Sequence, residues 1–224
     1  MLTTCRLGAR TIAVVVGTGE RQRTLDVHED VLINTSEFFK AVLNEKRMKE
    51  SGQQTVELLE HDPELFELFY HFLYTGQIFS AEEGDGRAVC GDTEFQRLIR
   101  AWLLGDQLAS TSFKDALSDA LLLKLHSDGR SPLGLQVELY PNSTGPSGMR
   151  RLLVDLAAGY WPVDVMEQRI EKRKEMYPAD FLYDLAVVLM RARSPQKEKQ
   201  LPATPTCEYH DHVAKGKPCY KTLF

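Results

Sequence analysis

Three short apolar or β-branched stretches near the start of the chain give way to segments whose apolar residues recur at helical spacing. Thr11–Gly17 is apolar and rich in valine, which suits a strand buried on both faces. Arg23–His28 is a second strand, and the polar turn Gly17-Thr-Gly19-Glu20 makes the two a hairpin. Thr55–Leu59 is a third strand. Between the second and third strands helical signals begin after His28. Asn34 or Ser36 caps the next helix, Asn34 and Glu37 have capping-box spacing, and Phe38, Phe39, Val42 and Leu43 share a face. This helix is expected to end near Asn44, with Glu45–Gly52 as a polar connector.

The middle of the chain is more strongly patterned. Asp62-Pro63-Glu64 is a helix start: a capping aspartate, proline at the first helical position, and an acid in the positive first turn. Leu65, Phe66, Leu68, Phe69, Phe72 and Leu73 form a wide apolar stripe, and Gly76 ends the helix as a left-handed cap. Residues 81–92 hold three glycines and no period, so they are expected to be an exposed loop. Two further helices follow, one carrying Phe95, Leu98, Ile99, Trp102 and Leu103, the other Phe113, Ala116, Leu117, Ala120 and Leu121, with Ser112 and Asp115 as caps of the second. Leu135, Val137 and Leu139 alternate, which predicts a short strand or extended segment. Helices are predicted at 149–160, 163–176 and 179–193, and residues 194–206 turn to Pro, Lys, Gln and Thr, the composition of a disordered linker.

Composition narrows the function. A hydrophobic fraction of 43% supports a real core, and a net charge of −5 argues against broad nucleic-acid binding, which needs a basic patch. No apolar run approaches the ~20 residues that span a bilayer. The N-terminus has no signal-peptide core, and the four cysteines (Cys5, Cys90, Cys207, Cys219) form no Cys-x-x-Cys pair. They are expected to be reduced thiols in a cytoplasmic or nuclear protein. Asn142-Ser143-Thr144 is a glycosylation sequon only by pattern. There is no Gly-x-Ser-x-Gly, His-Glu-x-x-His, P-loop or dinucleotide fingerprint, and nothing assembles a nucleophile, a base and an oxyanion donor. The chain is not expected to be an enzyme.

Two motifs point to a family. His28, Val31, Leu32, Ser36, Phe38 and Phe39 fall at the spacing H-x-x-V-L-x-x-x-S-x-F-F, and Leu65–Ile78 is a helix running into a Tyr74-Thr-Gly turn. In this order they resemble the BTB/POZ domain, a protein-interaction module, over about the first 125 residues, and the chain is most similar to short fungal-type members. The resemblance implies an α+β fold: a small three-stranded sheet with a cluster of about five helices, plus a helical C-terminal extension. The expected organisation is a lead-in over 1–10, the BTB/POZ domain over 11–130, the helical extension over 131–193, and a flexible tail with a Cys/His cluster over 194–224. The lead-in is too short for the N-terminal helix and strand that long members exchange in their dimers.

The resemblance also assigns roles. His28, Leu32, Ser36, Phe38, Phe39, Phe69 and Phe72 are architectural, forming the structural core. Met48-Lys49-Glu50 reads equally well as a solvated connector or as the hydrophobic-x-Glu triplet with which adaptor-type members contact a cullin scaffold of a ubiquitin ligase. A thioether suits an apolar notch and a carboxylate suits a basic rim. Met48, Glu50 and Tyr74 are therefore the candidate partner contacts. The implied function is a non-catalytic interaction protein, forming a homodimer and linking a client to a cullin. The alternative is a transcription-linked or structural oligomerisation module without a ubiquitin role.

Cys207, His210, His212 and Cys219 lie within thirteen residues. Zinc accepts two thiolates and two imidazoles tetrahedrally, but the spacing Cys-x2-His-x-His-x6-Cys is not a common finger pattern. Zinc ligation and a flexible tail made partly basic by Lys215, Lys217 and Lys221 both remain open. No other cofactor is expected.

Overall fold

β1 (Thr11–Val16) is the middle strand of a three-stranded sheet of order β2–β1–β3. It runs antiparallel to β2 (Arg23–His28), pairing Thr11 with His28, and parallel to β3 (Thr55–Leu58), pairing Ala13 with Thr55. The computed structural model describes residues 8–49, 55–80, 93–129, 132–172, 177–192, 202, 204 and 206–223. Ile12, Val14 and Val16 are fully buried, whereas Ala13 and Val15 are half-buried, so β1 has one closed face rather than two. The tip of the β1–β2 hairpin includes a short 3-10 turn over Gly19–Arg21.

α1 (Glu29–Thr35) and α2 (Glu37–Lys49) are separated by Ser36 alone. The Ser36 hydroxyl accepts from the Phe39 N–H at 3.2 Å and donates to the Leu108 carbonyl at 2.6 Å, so one buried side chain caps α2 and ties it to a turn 72 residues away. Asn34 lies within α1 and does not cap. α2 continues to Lys49 instead of stopping near Asn44: Glu45, Lys46, Arg47 and Met48 are good helix formers and nothing before Ser51-Gly52 breaks them. α3 (Pro63–Thr75) has the expected ends. Asp62 Oδ1 accepts from the Glu64 N–H at 2.9 Å, and Gly76 adopts φ 70°, where a side chain would be strained. The loop predicted over 81–92 lies outside the described residues.

α4 (Thr93–Gln107) and α5 (Thr111–Asp128) pack side by side. In α5 every residue from Phe113 to Asp119 is buried, as are Leu121 and Leu122, with half-buried Ala120 between them. Ser112 and Asp115 do not cap α5, whose first residue follows Ser110, and Asp115 is engaged elsewhere.

α6 (Leu135–Leu139) is a helical turn, not a strand. Leu135 and Leu139 are four residues apart and both buried, while Gly134 at φ 103° starts the turn and its N–H donates to Gln136 Oε1. Five alternating residues fit either period, and the left-handed glycine decides between them. α7 (Gly148–Tyr160), α8 (Val163–Lys172) and α9 (Ala179–Ala192) form the C-terminal extension, with α7 against α9. Ser143 of the sequon is buried and accepts from Arg150 Nε at 3.0 Å, which gives it a packing role. Most of the predicted linker lies outside the described residues. The segment 206–223 is not a loose tail: a 3-10 turn (Cys207–Tyr209), α10 (Asp211–Lys215) and a second 3-10 turn (Tyr220–Thr222) lie against α5 and α7.

The core joins these layers through phenylalanines. Phe69 stacks on Phe39 at 6.4 Å and meets Phe66 at 5.6 Å and Phe113 at 5.1 Å edge to face. Leu32, Ser36, Phe39, Phe69 and Phe72 are buried, while His28 and Phe38 are only partly so. Phe69→Ala is expected to cost about 3–5 kcal/mol in urea unfolding, and Phe38→Ala distinctly less, because only the first empties a closed cavity.

Candidate functional site

Met48 falls in the last turn of α2, but its side chain and the whole of Glu50 lie outside the described residues. Tyr74 is half-buried near the end of α3. Its hydroxyl receives the His28 N–H at 3.1 Å and lies 2.9 Å from His28 Nδ1, so the two family-pattern residues lock β2 to α3. Burial raises the Tyr74 hydroxyl above its ordinary value, against the opposing bond from the His28 backbone. Its ring continues an aromatic strip: Tyr70 lies 5.2 Å from Tyr74, and His71 lies 6.0 Å from Phe79, which is 52% exposed.

The tail brings its four candidate ligands together. One donor atom from each of Cys207, His210, His212 and Cys219 lies within 4.8 Å of the others. Cys207 Sγ is 3.8 Å from Cys219 Sγ, and Cys219 Sγ is 3.7 Å from His210 Nδ1. Both thiols are free. The histidines form the buried side of the cluster and the cysteines the open side, with Cys207 exposed.

Two aspartates of α5 orient the imidazoles. Asp115 and Asp119 are one turn apart and share a face. Asp119 Oδ1 is 2.8 Å from His210 Nε2, leaving Nδ1 toward the Cys219 sulfur. Asp115 Oδ2 is 2.6 Å from His212 Nδ1, which leaves Nε2 as that ring's donor. Asp115 also accepts the Asp211 and His212 backbone N–H groups. Tyr220 donates to Asp119 at 2.5 Å, and Lys221 Nζ lies 2.8 Å from it.

The electrostatics follow from burial and these bonds. Burial works to raise the Asp119 carboxyl, but bonds from His210, Lys221 and Tyr220 outweigh it and hold it below its usual value. Burial wins at Asp115, whose carboxyl is raised despite the bond to His212. Burial and the bond to Asp119 push the Tyr220 hydroxyl well above its ordinary value. Beside the cluster, Lys114 bridges Asp106 at 2.7 Å and Asp211 at 2.8 Å beneath the Trp102 ring. Asp211 also accepts the Gly148 N–H at 2.5 Å, at the first turn of α7.

The four tail residues are legible in the sequence as metal-ligand types, whereas their supports Asp115, Asp119 and Lys114 are not. The one signal is three adjacent or i,i+4 charges inside an otherwise apolar helix, and the histidines that the aspartates meet lie more than 90 residues away. The cluster thus presents two thiols and two imidazoles, each imidazole held by a carboxylate of α5, a donor set of the type that structural zinc takes.

Residues 8–89 match the family model for the BTB/POZ domain, which covers the sheet, α1, α2 and α3. The search of curated proteins finds no match.

A β-carbon at Gly148 would collide with the Tyr209 carbonyl. Gly148→Ala is therefore expected to loosen residues 206–223, raising their amide exchange about tenfold or more while β1 keeps its protection.

Proposed function

From the premise that this chain carries a BTB/POZ domain, a protein-interaction module, we propose that it is a non-catalytic, self-associating adaptor that links a client protein to a cullin-based ubiquitin ligase. The family match over 8–89 carries this reading, because it includes both α2, with Met48, and α3, with Tyr74. Met48 belongs to the last turn of α2 and Glu50 follows it; a thioether suits an apolar notch and a carboxylate a basic rim. The strip around Tyr70, Tyr74 and Phe79 has the aromatic character of interface centres. The helical extension offers a second surface for a client, with Tyr183 and Met190 of α9 exposed.

Immobilised cullin N-terminal domain is expected to retain the wild-type chain, and Met48→Asp or Glu50→Lys to abolish retention while circular dichroism stays unchanged. Absence of wild-type binding at micromolar concentration defeats the ligase connection and favours a structural oligomerisation module. Light scattering after size exclusion is expected to give twice the chain mass; a monomer at high concentration refutes self-association.

A further inference from the structure

We propose that Cys207, His210, His212 and Cys219 bind one zinc ion, and that this ion fastens the C-terminal segment to α5. The inference is independent of the cullin reading. A tetrahedral zinc with Zn–S of about 2.3 Å and Zn–N of about 2.0–2.1 Å requires edges of roughly 3.8 Å between sulfurs and 3.5 Å between sulfur and nitrogen. The separations of 3.8 Å for Cys207 to Cys219 and 3.7 Å for Cys219 to His210 Nδ1 meet that requirement. No pair of donor atoms is more than 4.8 Å apart, so metal binding requires the widest pair, which involves a ring nitrogen, to close by up to roughly 1.3–1.5 Å.

The supporting carboxylates make the assignment specific. A zinc-bound imidazole ordinarily gives its second ring N–H to a carboxylate or carbonyl, which fixes the tautomer and raises basicity. Here both rings have that partner: Asp119 takes Nε2–H of His210, and Asp115 takes Nδ1–H of His212. The ring nitrogens left over, Nδ1 of His210 and Nε2 of His212, complete the donor set with the two sulfurs. Binding displaces two thiol protons, so two thiolates neutralise the dication and no open coordination position remains. The ion is structural.

The experiment uses the full chain, purified without chelator and assayed for metal by elemental analysis. One zinc per chain is expected, falling to near zero in Cys219→Ser and in His212→Ala. Should those variants fold poorly, cobalt(II) added to metal-stripped wild type is expected to give the visible bands of a tetrahedral site and a near-ultraviolet thiolate charge-transfer band. Asp115→Asn is expected to keep the cobalt spectrum and to weaken affinity about 10–100-fold, which marks Asp115 as a positioning residue. No zinc together with no thiolate band, an octahedral cobalt spectrum, or a Cys207–Cys219 disulfide in the purified chain overturns the proposal.

Discussion

Lys114, Asp115, Ser118 and Asp119 are buried polar residues on α5, a helix enclosed on nearly all sides over that stretch. A buried charge without a partner costs several kcal/mol, so each of these groups constrains what packs against the helix. Ser118 returns its proton to the Lys114 carbonyl within the helix. The other three reach outward, and the elements that answer them come from residues 206–223 as well as from α4. The C-terminal segment is thereby a required layer of the structure rather than an appendage.

The opposite side of α5 faces the aromatic core. Phe113 packs on Phe69 and Phe72 of α3, and through Phe69 on Phe39 of α2. α5 therefore joins two systems: a core shared with the BTB/POZ unit, and a polar seam shared with the tail. Tyr220 spans both, with its hydroxyl on Asp119 and its ring 6.2 Å from Phe72. Although the family match ends at residue 89, α4 and α5 belong to the same core as α1 to α3.

The parts of the fold that are legible in the sequence are those with local chemistry. Asp62, Pro63 and Gly76 mark the ends of α3 through backbone preferences that need no distant partner. The central strand follows from its valine-rich run, which the turn residues Gly17 and Gly19 close. A local signal that is short or two-sided misleads: Leu135–Leu139 alternates like a strand but is set helical by Gly134, and Asp115 looks like a helix cap but serves a residue 97 positions away. Ser36 is readable as a cap, while its bond to Leu108 is not, because that bond depends on the α4–α5 turn. The Cys/His cluster is legible as residue types; its geometry depends on α5, which the spacing alone does not contain.

What holds residues 206–223 in place is therefore mainly polar. Among their large apolar side chains only Tyr209 is buried, and none of their helical turns exceeds five residues. Such short turns are not stable alone. Hydrogen bonds to charged groups contribute about 1.5–3 kcal/mol each, and Asp115, Asp119 and Asp211 together accept several. That gain is offset by desolvating three carboxylates, which is why the neighbouring cations matter. Lys114 lies between Asp106 and Asp211, and Lys221 sits on Asp119, whereas Asp115 is met by His212 and by two backbone N–H groups, with His210 acting on it electrostatically. Its carboxyl is raised, since burial there outweighs every bond it receives. The polar seam leads from Asp115 through His212 into the Cys/His cluster.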